Sequence, residues 1–182
     1  DLAFYLEFIE DFEGDDNFML VALEREEGVF DSTFLEQAHD FALNSREVTH
    51  VNAVQSLTQF GYPIKTPFTI TTIPAIHRDR PELYEQDKAR ILADERFVGN
   101  LINKDATVLV VAIKSISLIN LEQSRELMNG LETLAANYDF DDVHYLGPAF
   151  FQREMVDMQI REVTVSALVS GLLVAFIMFL VF

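Results

Sequence analysis

Chemistry in this chain would have to come from histidine, carboxylate or cationic side chains, because cysteine is absent. Disulfides and thiolate metal sites are therefore excluded, and the redox compartment is left open. His39, His50, His77 and His144 show none of the spacings that set two imidazoles on one metal ion, and read as solvated or hydrogen-bonded side chains. Gly14, Asp15, Asp16 and Asn17 offer oxygen ligands but lack the alternation of a calcium loop, so they read as a solvated turn. There is no glycine-rich phosphate loop and no GxSxG elbow. No carboxylate falls inside an apolar helix, where a raised pKa would suit acid or base work. The densest polar cluster, His77, Arg78, Asp79 and Arg80, reads as a salt-bridged loop leading into a helix. The expectation is a protein without covalent chemistry, metal or cofactor.

The strongest signal is apolar. Residues 163–182, VTVSALVSGLLVAFIMFLVF, carry no charge and no proline. At about 1.5 Å per residue they reach roughly 30 Å, the thickness of a bilayer's hydrocarbon core. A membrane span is expected, and its position and length rule out a secretory signal. Ala167, Gly171 and Ala175 recur every four residues, with Ser166 and Ser170 beside them, as a small-residue stripe suited to close packing against other helices. The net charge of -17 lies in residues 1–162. Such acidity serves solubility and argues against nucleic acid and anionic headgroups as partners. Asp1 is not an initiator methionine and Phe182 stops inside apolar sequence, so an excerpt of a longer membrane protein is expected.

Two similar units organise the acidic part, which is large enough for one core without staples. Residues 1–12 are amphipathic without a clear period. Residues 18–23, FMLVAL, predict a buried strand. A helix capped by Asp31 or Ser32 follows, with Phe34, Leu35, Ala38, Phe41 and Ala42 on one face and its end near Asn44. Residues 48–57 predict a strand with one wet face. In the second unit residues 107–113, TVLVVAI, predict a strand apolar on both faces. Asn120 and Gln123 cap a helix with Ser124, Leu127, Met128, Leu131, Leu134, Ala135 and Tyr138 on one face. Residues 143–146 predict a last short strand.

Between the units, residues 58–76 contain Gly61, Pro63, Pro67 and Pro74 and predict an extended insertion with one edge strand. A half-buried helix then runs from Pro81 to about Asp94, its apolar stripe broken by Asp87 and Lys88. The fold expected is α+β, a ferredoxin-like split βαβ sheet with its first and third strands central. The second face of that sheet is expected to be covered, by the insertion or by another subunit or domain. Gly147 and Pro148 close the last strand, and nothing interrupts the helical pattern from Phe150 onward. The divisions are residues 1–149 as the domain, 150–162 as an amphipathic connecting helix and 163–182 as the span. A stiff connection of this kind transmits motion where a glycine tether does not.

The succession FEGDDNFMLVALE, VFDSTFLEQAHDF, VTHVNAVQSL and VHYLGPAFFQREM, leading into an apolar helix, resembles the first extracytoplasmic loop of bacterial resistance-nodulation-division (RND) exporters. The MMPL-type branch, related to Patched and sterol-sensing proteins, is the nearest in pattern. The likeness lies in order and spacing over the whole chain, not in one motif. It implies a porter domain and second membrane helix of a multi-pass protein of the bacterial cytoplasmic membrane, with residues 1 to about 160 extracytoplasmic. It implies export of lipidic or amphipathic substrates, driven by protons through residues of later helices. The implied partners are the lipid bilayer, the remaining membrane helices and a second porter domain; a homo-oligomer is compatible with it. The rival expectation is a membrane-tethered interaction domain. A tethered acylphosphatase-like hydrolase has only the sheet topology in its favour.

Overall fold

The computed structural model describes residues 17–65 and 69–181. The segment 1–12 and the acidic turn up to Asp16 lie outside the described residues. A four-stranded antiparallel sheet, in the order β2-β5-β1-β6, carries the domain. Its strands are β1 (Phe18–Glu24), β2 (Val51–Ser56), β5 (Val108–Ser115) and β6 (Asp142–Leu146). The two continuous apolar runs are thus the central strands, and the more polar β2 and β6 are the flanks, as expected.

Helices α1 (Ser32–Asn44) and α3 (Leu121–Ala135) pack on one face of the sheet. Asp31 caps α1 by accepting from the Phe34 amide at 3.0 Å. Asn120 and Gln123 form a reciprocal capping box at α3, with bonds of 2.9 and 3.0 Å. Met19, Val21 and Leu23 of β1 and Leu109, Val111 and Ile113 of β5 meet Phe34, Leu35, Phe41, Leu127, Met128 and Leu131 in one buried core. The ring of Phe140, in the turn after α3, meets Phe34 and Phe41 edge-on and stacks on Tyr138.

Strand β5 alternates, although its sequence is apolar at nearly every position. Leu109, Val111 and Ile113 are buried while Val108, Val110 and Ala112 are half-buried on the opposite face. Strand β2 is shorter than predicted, because residues 48–50 bend into a turn in which His50 adopts a positive φ of 71°.

The insertion departs most from expectation. It does not contribute an edge strand to the main sheet; β3 (Gly61–Lys65) and β4 (Ile70–Pro74) form a separate antiparallel ribbon. Pro63 is tolerated there because a two-stranded ribbon leaves an outer side needing no N–H donor. Tyr62 anchors the ribbon: its ring lies under Arg90 at 5.1 Å and Arg96 at 5.8 Å and meets Phe97 edge-on. The helix after it begins with a 3-10 turn at Pro81–Leu83 and continues as α2 (Tyr84–Leu92).

The last element, α4 (Pro148–Val181), starts one residue after β6 and runs unbroken for 34 residues, about 51 Å at the usual rise. Gly147 makes that junction with φ 149°, and a Cβ there would lie 2.7 Å from the Phe18 carbonyl oxygen and 2.8 Å from Met19 Cγ. Gly99, with φ 83°, has nothing within 4 Å of such a Cβ and isolates backbone strain alone. Gly99→Ala is expected to cost about 1 kcal/mol and Gly147→Ala about 3 kcal/mol or more. Urea unfolding of the chain in detergent measures both, and equal losses would remove the close approach from the explanation.

Candidate functional site

Side chains of α3 and α4 meet where α4 leaves the sheet. Ala149 is buried and Phe150 half-buried against the core, whereas Phe151, Met155 and Met158 are exposed on the outer side. Three side-chain bonds tie the polar half of α4 to α3. Ser124 donates to Gln152 Oε1 at 2.7 Å, Arg153 donates to Glu132 Oε1 at 2.7 Å, and Arg125 donates to Asp157. The Arg153 side chain is only 13% exposed, so this pair is shielded more than an ordinary surface bridge. Its bond to Glu132 raises the Arg153 pKa further. Beneath it on β6, burial pushes the Tyr145 phenol up to about 12, with the Glu132 charge adding and Arg153 opposing.

Beyond Glu162 the helix carries no charge, and its most apolar window has a mean hydropathy of 2.5 with none of it buried. It is the one helix among the described residues long and apolar enough to cross a membrane. Ser166, Ala167, Ser170, Gly171 and Ala175 all lie on this exposed length. Ser166 and Ser170 border an open concavity with Val165 and Val169. A Cβ on Gly171 would meet nothing within 4 Å. Each of these small residues is exposed, with no described residue seated against it.

The histidines each find a hydrogen-bond partner. His39 Nδ1 lies 3.2 Å from Thr58 Oγ1, and burial first, then Arg78, lowers its pKa. His50 meets Glu126 at 2.7 Å, and His77 Nδ1 meets Asp87 at 3.0 Å. His144 Nε2 lies 3.2 Å from Glu24 and 3.7 Å from Asp142. These last three could supply metal-ligating atoms within 4.8 Å of one another, as an exposed cross-strand group in which His144 and Glu24 share a hydrogen bond.

The loop at residues 77–80 is not salt-bridged within itself. Its ionic partner is Asp87 of α2, which is 99% buried and accepts from the His77 amide at 2.7 Å, faces the His77 ring and binds Arg90 at 2.7 Å. Arg90 reaches the Ala75 carbonyl at 2.7 Å as well. Asp87 reads in the sequence as an interruption of an apolar stripe; the i,i+3 pairing with Arg90 was the available sign of a buried ion pair. Tyr145 and the Glu132–Arg153 bond carry no sequence signal, since they depend on how α3 and α4 cross.

No protein-family model matches the chain, and no curated protein matches it either. The class defined by fold and junction is an α+β domain built around an antiparallel sheet, continuous with an apolar helix of membrane-spanning length.

Arg153→Met is expected to destabilise the domain by about 2 kcal/mol, and a double-mutant cycle with Glu132→Gln to give about 1 kcal/mol of coupling. Additive losses in urea unfolding would make the bond incidental. Tyr145 adds a pH signature. Its folded pKa of about 12 lies above the reference value of 10.0, so the fold favours the neutral phenol. That contribution is whole below pH 10 and fades as pH rises through 10 to 12. Wild type should lose stability relative to Tyr145→Phe across that range, and a constant difference would contradict the assignment.

Proposed function

We propose that the chain is a ferredoxin-like porter domain and the following transmembrane helix of an RND-type exporter, contributing to the path of lipidic or amphipathic substrates. The observation that supports this reading is the direct passage from an edge strand through Gly147 into one continuous helix, polar up to Glu162 and apolar beyond. An anchor alone needs neither a rigid junction nor a stripe of small residues. A porter domain that must move with its membrane helix needs the first, and a helix packed among others uses the second. The strand order β2-β5-β1-β6 is that of a split βαβ sheet and agrees with the reading. In it, residues 17–149 are extracytoplasmic, residues 163–181 cross the bacterial cytoplasmic membrane, and proton coupling belongs to other helices of the same protein.

The test uses the full-length protein in its host. With any cysteine outside these 182 residues replaced, Lys104→Cys reports topology, since the 182 residues hold none: a membrane-impermeant maleimide added outside intact cells should label it. Gly61 and Pro74 face each other across the ribbon, and a two-residue Asn-Gly turn can replace residues 62–73 between them. That variant should insert normally and lose export. Unchanged export would take the insertion out of the mechanism. A full-length protein with one span and no second such domain would overturn the exporter reading in favour of a tethered interaction domain.

A further inference from the structure

The groove between the β3–β4 ribbon and the lead into α2 has a volume of about 570 Å³. Ile73, Pro74 and Ile76 make its apolar wall; Thr58, Thr72, His77, Arg78, Asp79 and Arg80 supply its polar groups. Arg25, Arg90, Arg96, Arg125 and Arg153 each meet a carboxylate. Among the described residues, Arg46, Arg78, Arg80 and Arg161 meet none, although the chain has 30 Asp and Glu against 13 Lys and Arg; of these, Arg78 and Arg80 line one groove together. In so acidic a protein, two arginines left without carboxylate partners in one groove are not explained by folding.

The surrounding bonds hold the groove in a receptive form. Asp87 is consumed by the His77 amide, the His77 ring and Arg90, so its charge is neutralised behind the wall. That bond turns Nδ1 of His77 inward and leaves Nε2 without a described partner. Arg78 is half-buried, and its positive charge reaches His39, whose pKa it helps to lower. The Tyr84 hydroxyl donates to the Arg78 carbonyl at 2.8 Å and fixes the backbone beneath that guanidinium. Asp79, exposed on the rim, is the one opposing charge and leaves the pair of arginines in excess.

We infer that this groove binds an oxyanion, phosphate or carboxylate in type, whose short apolar portion lies along Ile73, Pro74 and Ile76. Guanidinium groups pair with such oxygens through charge-assisted bonds, and the threonine hydroxyls add neutral donors. The inference needs only the fold of the ribbon and α2, and stands apart from the transport reading.

The full chain in phosphatidylcholine nanodiscs can be titrated calorimetrically with inorganic phosphate, octyl phosphate and, as an uncharged control, octyl glucoside. Octyl phosphate should bind about ten-fold tighter than inorganic phosphate, the gain expected from partial burial of its chain. Octyl glucoside should not compete. Arg78→Gln and Arg80→Gln should each weaken octyl phosphate binding by about ten-fold or more, while Arg161→Gln, far along α4, should not. Equal affinity for both phosphates would overturn the apolar part and assign free phosphate as the ligand. Undiminished binding by the Arg78→Gln/Arg80→Gln double variant, or no binding of either phosphate, would overturn the site. Arg80 is exposed, so its variant remains a valid test if Arg78→Gln fails to fold.

Discussion

Strand β6 and helix α4 meet at Gly147 with no slack between them, and the rest of the architecture depends on that junction. Any side chain there would strike the Phe18 carbonyl and the Met19 side chain, so the end of β6 lies directly on the start of β1. Strand β1 is central, paired with β5 on one side and β6 on the other. A force along or across α4 therefore reaches the middle of the sheet within one residue. A glycine- or serine-rich tether at the same place would dissipate it.

Fastening of α4 to α3 complements that junction. Packing alone would let the helix roll about its axis, since apolar contacts have little directional preference. The bonds from Ser124 to Gln152, Arg153 to Glu132 and Arg125 to Asp157 fix its rotation. They are unequal in weight. Arg125 and Asp157 are both well exposed, so solvent screens their attraction, whereas Arg153 is shielded and would be costly to leave unpaired.

Local pattern made most of the α+β framework legible. FMLVAL and TVLVVAI became the central strands, the Asn120 and Gln123 capping pair opened α3, and no break separates residues 148 to 181. Each of these follows from residues close together in sequence. The misreadings share the opposite property. The insertion has strand propensity in both halves, but only the pairing of Gly61 with Pro74 and its neighbours shows that they bond to each other. Asp87 looked like a polar break in a helical stripe because the His77 amide and ring that bury it arrive from the loop before the helix; only its i,i+3 partner Arg90 is local. Strand β5 is apolar on both faces, yet alternates in burial because the helices cover one face and the opposite residues stay half-buried.

The position of the cross-helix bonds sets what α4 can do. All three involve residues between Gln152 and Asp157, inside the polar part, and beyond them the helix makes no bond to the domain among the described residues. The remaining length, from Met158 to Val181, is about 36 Å. A tilt of about 10° at the joint would then carry the far end about 6 Å sideways, comparable to one helical turn. The small residues Ala167, Gly171 and Ala175 lie in the part that such a movement displaces. Small side chains let one helix slide closely past another without unlocking interdigitated knobs, so the stripe and the rigid joint are consistent with one lever.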